Sequence, residues 1–309
     1  MMDKVYELII IGSGAAGLTA GIYAGRALID TLVIEKLPVS GGQIIRTNEI
    51  DNYPGLPGIS GTDLGQRLKE HINQYEVEHV NGEVAKFEVK GDIKEITLDN
   101  NKVYRGKAVL IATGADPRKL GIDGEEKLQG LGVSYCATCD GAFFRNRVAA
   151  VVGGGDTAVE DALFLSRICD KVYLIHRRDE FRAAKIYLEK VKVTPNIEII
   201  TDSVVEEIIG DDIVEKIKVR NVKNQEVNEL EVNALFVAIG NKPNTEVFKD
   251  IIDLDPNGYI IANEEGTTSV PGIFAAGDVR TKTLRQVITA ASDGANAISS
   301  VEKYLNSLN

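Results

Sequence analysis

Cysteine and histidine are scarce in this chain, at three residues each among 309. So small and odd a number of cysteines cannot build a disulfide framework. The first apolar run, "ELIIIGSGAAGL", has neither a basic leader nor a small-residue cleavage site, so it reads as folded core and not as a secretory signal. A reducing cytoplasm is then the expected location, and a disulfide there is transient and catalytic more often than structural. Long hydrophobic runs are also missing: none approaches the roughly 18 residues that a membrane-crossing helix needs. Positive charge is in deficit, with 35 Lys and Arg against 46 Asp and Glu, a net charge of −11. That balance speaks against a nucleic-acid or anionic-membrane partner. With 44% hydrophobic and 26% charged residues, the composition is that of a soluble globular protein, long enough for two domains.

Glycine is where the organisation shows. In "YELIIIGSGAAGLTAGIYAGRA" an apolar strand, Glu7 to Ile11, runs into Gly12-Ser13-Gly14-Ala15-Ala16-Gly17 and then into a small-residue helix. A second strand, "DTLVIEK", ends at Glu35-Lys36, so that Glu35 stands 23 positions after Gly12. In such a strand–turn–helix–strand unit Gly12 makes the tight turn and Gly14 lets a pyrophosphate approach the backbone. Gly17 lets helix and strand pack closely. The helix N-terminus offers free N–H groups to the phosphates, and Glu35 suits a ribose hydroxyl.

The motif recurs as "RVAAVVGGGDTAVEDALFLSRICDKVYLIHRRDEFRA". Val148 to Val152 is the strand, and Gly153-x-Gly155-x-x-Ala158 opens a helix that includes Asp156 and Thr157. The next strand ends at His176, again 23 positions after the first glycine, and Arg177, Arg178 and Arg182 follow. A carboxylate in that slot would repel a 2′-phosphate, whereas guanidiniums bind one, often in bidentate fashion. The first site therefore suits FAD or NAD, and the second NADPH. Two further segments repeat: "AVLIATGADP" and "ALFVAIGNKP" are strands ending in Gly114 and Gly240, each with a proline three residues on. They enclose the second turn completely, which points to one nucleotide-binding domain inserted in another.

Two of the cysteines form Cys136-Ala137-Thr138-Cys139, 14 residues ahead of the second turn and followed by Asp140. A zinc site would need two further ligands. Cys169, His71, His79 and His176 show no matching spacing, and Cys169 reads as core; no metal is expected. Two unlinked structural cysteines are the other alternative. Position favours redox work: a Cys-x-x-Cys pair tunes one thiolate, and a neighbouring carboxyl group can supply the proton that exchange requires.

The residues "GSGAAG", "GGQIIRTNEIDNYPG", "ATGA", "CATCDG", "GGGDTAVE", "HRRDEFRA" and "GIFAAGDV" with "RQVITAASDGANA" resemble, in content and order, the low-molecular-weight, bacterial-type thioredoxin reductase family across almost the whole chain. The glutathione-reductase type carries its cysteine pair beside the first glycine turn, and no cysteine precedes Cys136 here. The resemblance implies an α/β fold of two Rossmann-like, glutathione-reductase-like three-layer domains. It puts an FAD domain at 1–115 and 246–309 and an NADPH domain with the cysteine pair at 116–245.

For FAD it implies Gly12 to Gly17, Glu35, Lys36, Gly41, Gly42, Gln43, Thr47, Asn52, Gly114, Asp278, Arg285, Gln286 and Val287. For NADPH it implies Gly155, Asp156, Thr157, His176, Arg177, Arg178, Arg182 and Gly240. Cys136, Cys139 and Asp140 would be catalytic, with thioredoxin as the disulfide substrate, a homodimer as the assembly, and rotation of the inserted domain about the crossovers near 115 and 245. Ferredoxin as donor, another protein disulfide as substrate, and a non-enzymatic flavin redox sensor are the competing readings. The arginine cluster speaks against the sensor.

Overall fold

The computed structural model describes residues 4–47, 49–50 and 52–308. The chain begins with β1 (Val5–Ile11), α1 (Ala15–Arg26), β2 (Thr31–Glu35) and α2 (Gly61–Ile72). Four strands follow: β3 (Val77–Asn81), β4 (Val84–Lys90), β5 (Ile93–Leu98) and β6 (Val103–Ile111). The short β7 (Ala115–Pro117) leads to β8 (Val133–Ser134), the one-turn α3 (Ala137–Asp140), β9 (Val148–Val152), α4 (Asp156–Leu165), β10 (Lys171–Ile175) and α5 (Lys185–Val193). Then come β11 (Ile197–Ile200), β12 (Ser203–Ile209), β13 (Lys216–Asn221), β14 (Val227–Glu231) and β15 (Ala234–Val237). The short β16 (Asn241–Pro243), β17 (Ile273–Ala275) and the 21-residue α6 (Val287–Ser307) complete it.

Two compact units result: residues up to Asp116 together with those from Lys242, and the continuous segment Pro117–Asn241. Residues 242–245 stay with the first unit because Asn244 is bonded there. Its Nδ2 donates to the Thr113 carbonyl and to Asp116, and its own carbonyl accepts from Thr113 Oγ1. The crossing strands β7 and β16 pair with each other.

In the first unit β3-β2-β1-β6 is a parallel sheet continued by β17, while β6 also pairs antiparallel with β5, and β5 with β4. The second unit repeats the plan, with parallel β11-β10-β9-β15-β8 and antiparallel β12-β13-β14. Parallel strands covered on both faces read as continuous apolar runs, because alternate side chains enter different cores. Leu8 and Ile10 of β1 pack with α1, α2 and α6; Ile9 and Ile11 pack with β4, β5 and the 248–260 segment. Ala149 and Val151 of β9 face α4 and α5, while Ala150 and Val152 face β12 and β13. Fully burying a Leu, Ile or Val side chain contributes about 1.5–3 kcal/mol, and an Ala less. The result is two rigid sheets whose carboxyl ends carry the glycine turns.

Candidate active site

The three glycines of the first turn are held by different causes. Gly12 has φ +104°, and a Cβ there would stand 2.4 Å from the Ala112 carbonyl oxygen. A Cβ on Gly17 would stand 1.9 Å from the Gly12 carbonyl. Gly14 has extended backbone, φ −75° and ψ −169°, and nothing nearer than 3.9 Å to a would-be Cβ. Nothing inside the protein demands glycine at 14, so the space in front of it, at the N-terminus of α1, fits an approaching pyrophosphate.

Ser13, fully buried, donates to Glu35 Oε2 through its backbone N–H (2.7 Å) and its Oγ (2.8 Å), and Leu37 N–H donates to Oε1 at 2.9 Å. A carboxylate accepts about four hydrogen bonds, so these three orient Glu35 and still leave a position for a ribose hydroxyl. Lys36 beside it is exposed. Gly41 N–H donates to the Ser13 carbonyl (2.8 Å) and bridges Gly14, which brings Gly41 and Gly42 alongside the turn. Gln43 Nε2 donates to the Ala115 carbonyl, next to Gly114, whose would-be Cβ also meets open space. The Thr47 carbonyl accepts from Gly61 N–H at 3.0 Å. Asn52 Nδ2 donates to Gln286 Oε1 at 2.8 Å, joining residues 234 positions apart just ahead of Val287, where α6 begins.

At the end of β17 the Gly277-Asp278 turn presents an unusual carboxylate. Asp278 Oδ1 is buried with no hydrogen-bond partner among the described residues. Burial raises its carboxyl above the ordinary range, against the opposing charges of Lys282 and Arg285. A buried acceptor without a partner costs about 1–3 kcal/mol, so this oxygen fits a polar, hydroxyl-bearing ligand. Arg285 lies over the Tyr259 ring, 4.0 Å from its centre, and its buried Nε is likewise unpartnered.

The turn is held by a residue that the motif reading passed over. Asp293 of α6 accepts from Gly277 N–H, Arg280 Nε and Lys282 Nζ on Oδ2, each at 2.9 Å, and from Arg280 Nη2 on Oδ1 at 2.7 Å. Burial disfavours its charge, but Arg280 and Lys282 outweigh that and hold its carboxyl below the usual range. The helix can reach the turn because Gly294 lies against α1: a Cβ there would stand 2.2 Å from the Ala16 carbonyl.

The second turn follows the same plan. A Cβ on Gly153 would stand 2.3 Å from the Ala238 carbonyl, whereas Gly155, extended at φ −96° and ψ −178°, faces open space at the start of α4, as does Gly240. The 176–182 loop is fastened to this turn. Arg182 N–H donates to the Gly154 carbonyl at 2.7 Å, and the His176 ring occupies the place of a Gly154 side chain. His176 is thus a brace, with Nε2 3.1 Å from the Glu180 carbonyl and its ring 4.8 Å from Phe181. Burial lowers its pKa despite the Glu180 carbonyl. Asp156 Oδ1 accepts from Ala184 N–H at 2.8 Å, tying α4 to α5, and Thr157 is exposed on the first turn of α4. Arg177, Arg178 and Arg182 are exposed, and none has a side-chain ion pair or hydrogen bond to a described residue. Three free guanidiniums in a chain of net charge −11 fit a phosphate dianion.

In the same unit Cys136 and Cys139 form a disulfide with Cα atoms 5.3 Å apart, both half-buried. Cys136 caps α3, its carbonyl accepting from the N–H groups of Cys139 (3.2 Å) and Asp140 (3.1 Å). Burial pushes the Asp140 carboxyl upward, while the Ser134 hydroxyl, donating to Oδ2 at 2.6 Å, pulls it back. Ser134, two residues before Cys136, had no motif to announce it. The third cysteine, Cys169, is buried and donates to the Phe144 carbonyl at 3.3 Å. Its thiol is pushed up to about 11 by burial and by the charge of Asp170. Among the described residues no helix is long and apolar enough to cross a membrane.

The profile of the pyridine nucleotide-disulphide oxidoreductase family matches residues 6–294. A thioredoxin reductase of Listeria innocua is 44% identical over 307 residues, covering 99% of this chain and 96% of that protein. One of Peptoclostridium acidaminophilum is 46% identical over 311 residues, covering 98% of each. The crystal structure of thioredoxin reductase from Streptococcus pyogenes MGAS5005 superposes with a TM-score of 0.93 at 45% identity, over 98% of this chain and 99% of that one.

Proposed function

The chain belongs to the pyridine nucleotide-disulphide oxidoreductase family, among its bacterial-type thioredoxin reductases, and on that premise we propose which of its residues carry electrons from NADPH through FAD to the disulfide of a thioredoxin. The observation that carries the assignment is the Cys136–Cys139 disulfide beside a half-buried carboxyl group, Asp140, in the unit that also bears the arginine loop.

FAD would lie along Gly12 to Gly17, with Glu35 on a ribose hydroxyl and Asp278 on a hydroxyl of the ribityl chain. Gly41, Gly42, Gln43, Thr47, Asn52, Gly114, Arg285, Gln286 and Val287 would complete its site. NADPH would lie over Gly155, Asp156, Thr157 and Gly240, with Arg177, Arg178 and Arg182 on the 2′-phosphate and His176 bracing their loop. When bound, FAD takes a hydride from NADPH and passes the electron pair on to a disulfide, chemistry that no side chain supplies.

The chain's own part begins once two electrons and two protons have made the pair a dithiol. One cysteine thiolate attacks a sulfur of the substrate disulfide, which breaks and leaves as thiolate, giving a mixed disulfide. The second cysteine loses its proton and attacks the first cysteine's sulfur, which reforms Cys136–Cys139 and expels a second thiolate. Asp140 takes up the proton that a cysteine loses and delivers it to a departing sulfur. A homodimer working in the cytoplasm is part of the same reading, and size-exclusion chromatography with light scattering tests the assembly.

Anaerobic titration of the flavoprotein with NADPH and then NADH, following flavin absorbance and free thiols, tests the whole path. NADPH should bleach the flavin far more readily than NADH and release about two thiols per flavin. An oxidised flavin in excess NADPH would overturn the donor site, and bleaching with no new thiols would overturn the role of the cysteine pair.

A further inference from the structure

One buried hydroxyl at the dithiol has no part in the reading above. Ser134 ends the two-residue strand β8 and is 5% exposed. Its Oγ lies 2.6 Å from Asp140 Oδ2, 3.1 Å from the Cys136 backbone nitrogen and 3.3 Å from the Cys136 carbonyl oxygen. A hydroxyl has one proton to donate and two lone pairs to accept with. When Asp140 is ionised, that proton goes to Oδ2 and Oγ accepts from Cys136 N–H. When Asp140 is protonated the direction reverses: the acid donates to the second lone pair, and the hydroxyl proton turns to the Cys136 carbonyl. Both states keep Ser134 Oγ and Asp140 Oδ2 hydrogen-bonded without moving a heavy atom, which lets a buried group change protonation cheaply.

We propose that Ser134 is the positioning residue for proton transfer at the disulfide, a two-way hydrogen-bond partner that anchors Asp140 to the Cys136 backbone and serves its acid and its carboxylate alike. The proposal rests on the reading of Asp140 as proton carrier. No other charged group acts on Asp140 itself, although Tyr135, between Ser134 and Cys136, donates to the buried Glu125. α3 packs against α4, whose titratable groups are Asp156, Glu160 and Asp161. Asp156 is engaged by Ala184 N–H, and burial with the charge of Glu160 raises Asp161 to about 7. β15, which pairs with β8, and the Gly141–Phe144 turn carry no titratable group. Burial and the Ser134 hydroxyl are the influences on Asp140 itself. Protons balance over a cycle: Asp140 gives its proton to a departing thiolate, becomes a carboxylate that the Ser134 hydroxyl stabilises, and regains a proton from the cysteine that closes the disulfide.

The test is the pH profile of thioredoxin reduction at saturating NADPH for the wild type, Ser134→Ala, Ser134→Thr and Asp140→Asn, each with full flavin content. Ser134→Ala should lower kcat about tenfold, as for the loss of one hydrogen bond to a charged group, and leave KM for thioredoxin unchanged. Its alkaline limb should move to higher pH, because the carboxylate has lost its donor; Ser134→Thr should restore the limb, and Asp140→Asn should abolish it. If Asp140→Asn keeps the wild-type limb, the proton-carrier reading itself fails. If that variant loses the limb while Ser134→Ala leaves it in place, only the role of Ser134 fails. An infrared difference spectrum between the disulfide and dithiol forms of the wild type needs no variant at Ser134. The O–H band of the Asp140 acid, identified by its loss in Asp140→Asn, should lie at a hydrogen-bonded hydroxyl frequency, and a free-hydroxyl frequency would overturn the proposal.

Discussion

At Gly155 a single methyl group distinguishes a structural glycine from a ligand-facing one. Its backbone suits any residue and nothing stands within 4 Å of a would-be Cβ. Gly155→Ala should therefore leave the melting temperature nearly unchanged while raising KM for NADPH about tenfold, as a methyl displaces the phosphate from the helix N-terminus. Gly17→Ala should behave oppositely, destabilising the fold by about 1–3 kcal/mol or more through a clash with the Gly12 carbonyl. Thermal melts and steady-state kinetics on the two variants separate these outcomes. Arg178→Gln should raise KM for NADPH about 10- to 100-fold, the range for one charge-assisted hydrogen bond, and leave the slower use of NADH unchanged; equal losses with both donors would remove the arginine from the 2′-phosphate.

Elements transmit order to the site through buried polar links. Asp293 connects α6 to the Gly277-Asp278 turn, and the side chains of Arg280, Lys282 and Asp293 are at most 5% exposed. Asp293→Ala removes the hydrogen-bonded counter-charge of two buried cations, leaving Arg280 only the exposed Glu264 at 3.4 Å, and should cost about 3–5 kcal/mol in denaturant unfolding. At the sheet edge Lys69 of α2 lies 2.8 Å from His79 Nδ1 of β3, and burial with the Lys69 charge holds that imidazole down at about 4. Between that value and the ordinary 6.5 the unfolded chain binds the extra proton, so this histidine erodes stability as pH falls through the window and has no effect above it. His79→Gln should shrink the stability difference between pH 7 and pH 4.5; an unchanged difference would place the effect elsewhere. The glycine turns and their 23-residue partners were legible in the sequence because a strand, a tight turn and a helix fix that interval locally. Ser134 and Asp293 were not legible. Serine in a short strand and aspartate in a helix are ordinary, and their partners meet them only once β8 and α6 have packed.

For the whole molecule, two units with separate cores predict two separable unfolding steps. FAD should stabilise one step and NADPH the other, each by about 2.7 kcal/mol at a hundredfold excess over its Kd; a single transition moved equally by both ligands would show that the units unfold together. The burial of Cys169 has a consequence for this molecule as a redox device. With its thiol un-ionised at neutral pH and shielded against the Phe144 carbonyl, it cannot enter exchange, so the cysteine pair has no third sulfur with which to scramble. An alkylating reagent should therefore leave an unlabelled bystander in the native enzyme, whether oxidised or reduced, and reach it only after denaturation. The molecule then accounts for electrons in pairs, with no odd thiol to strand one half-way.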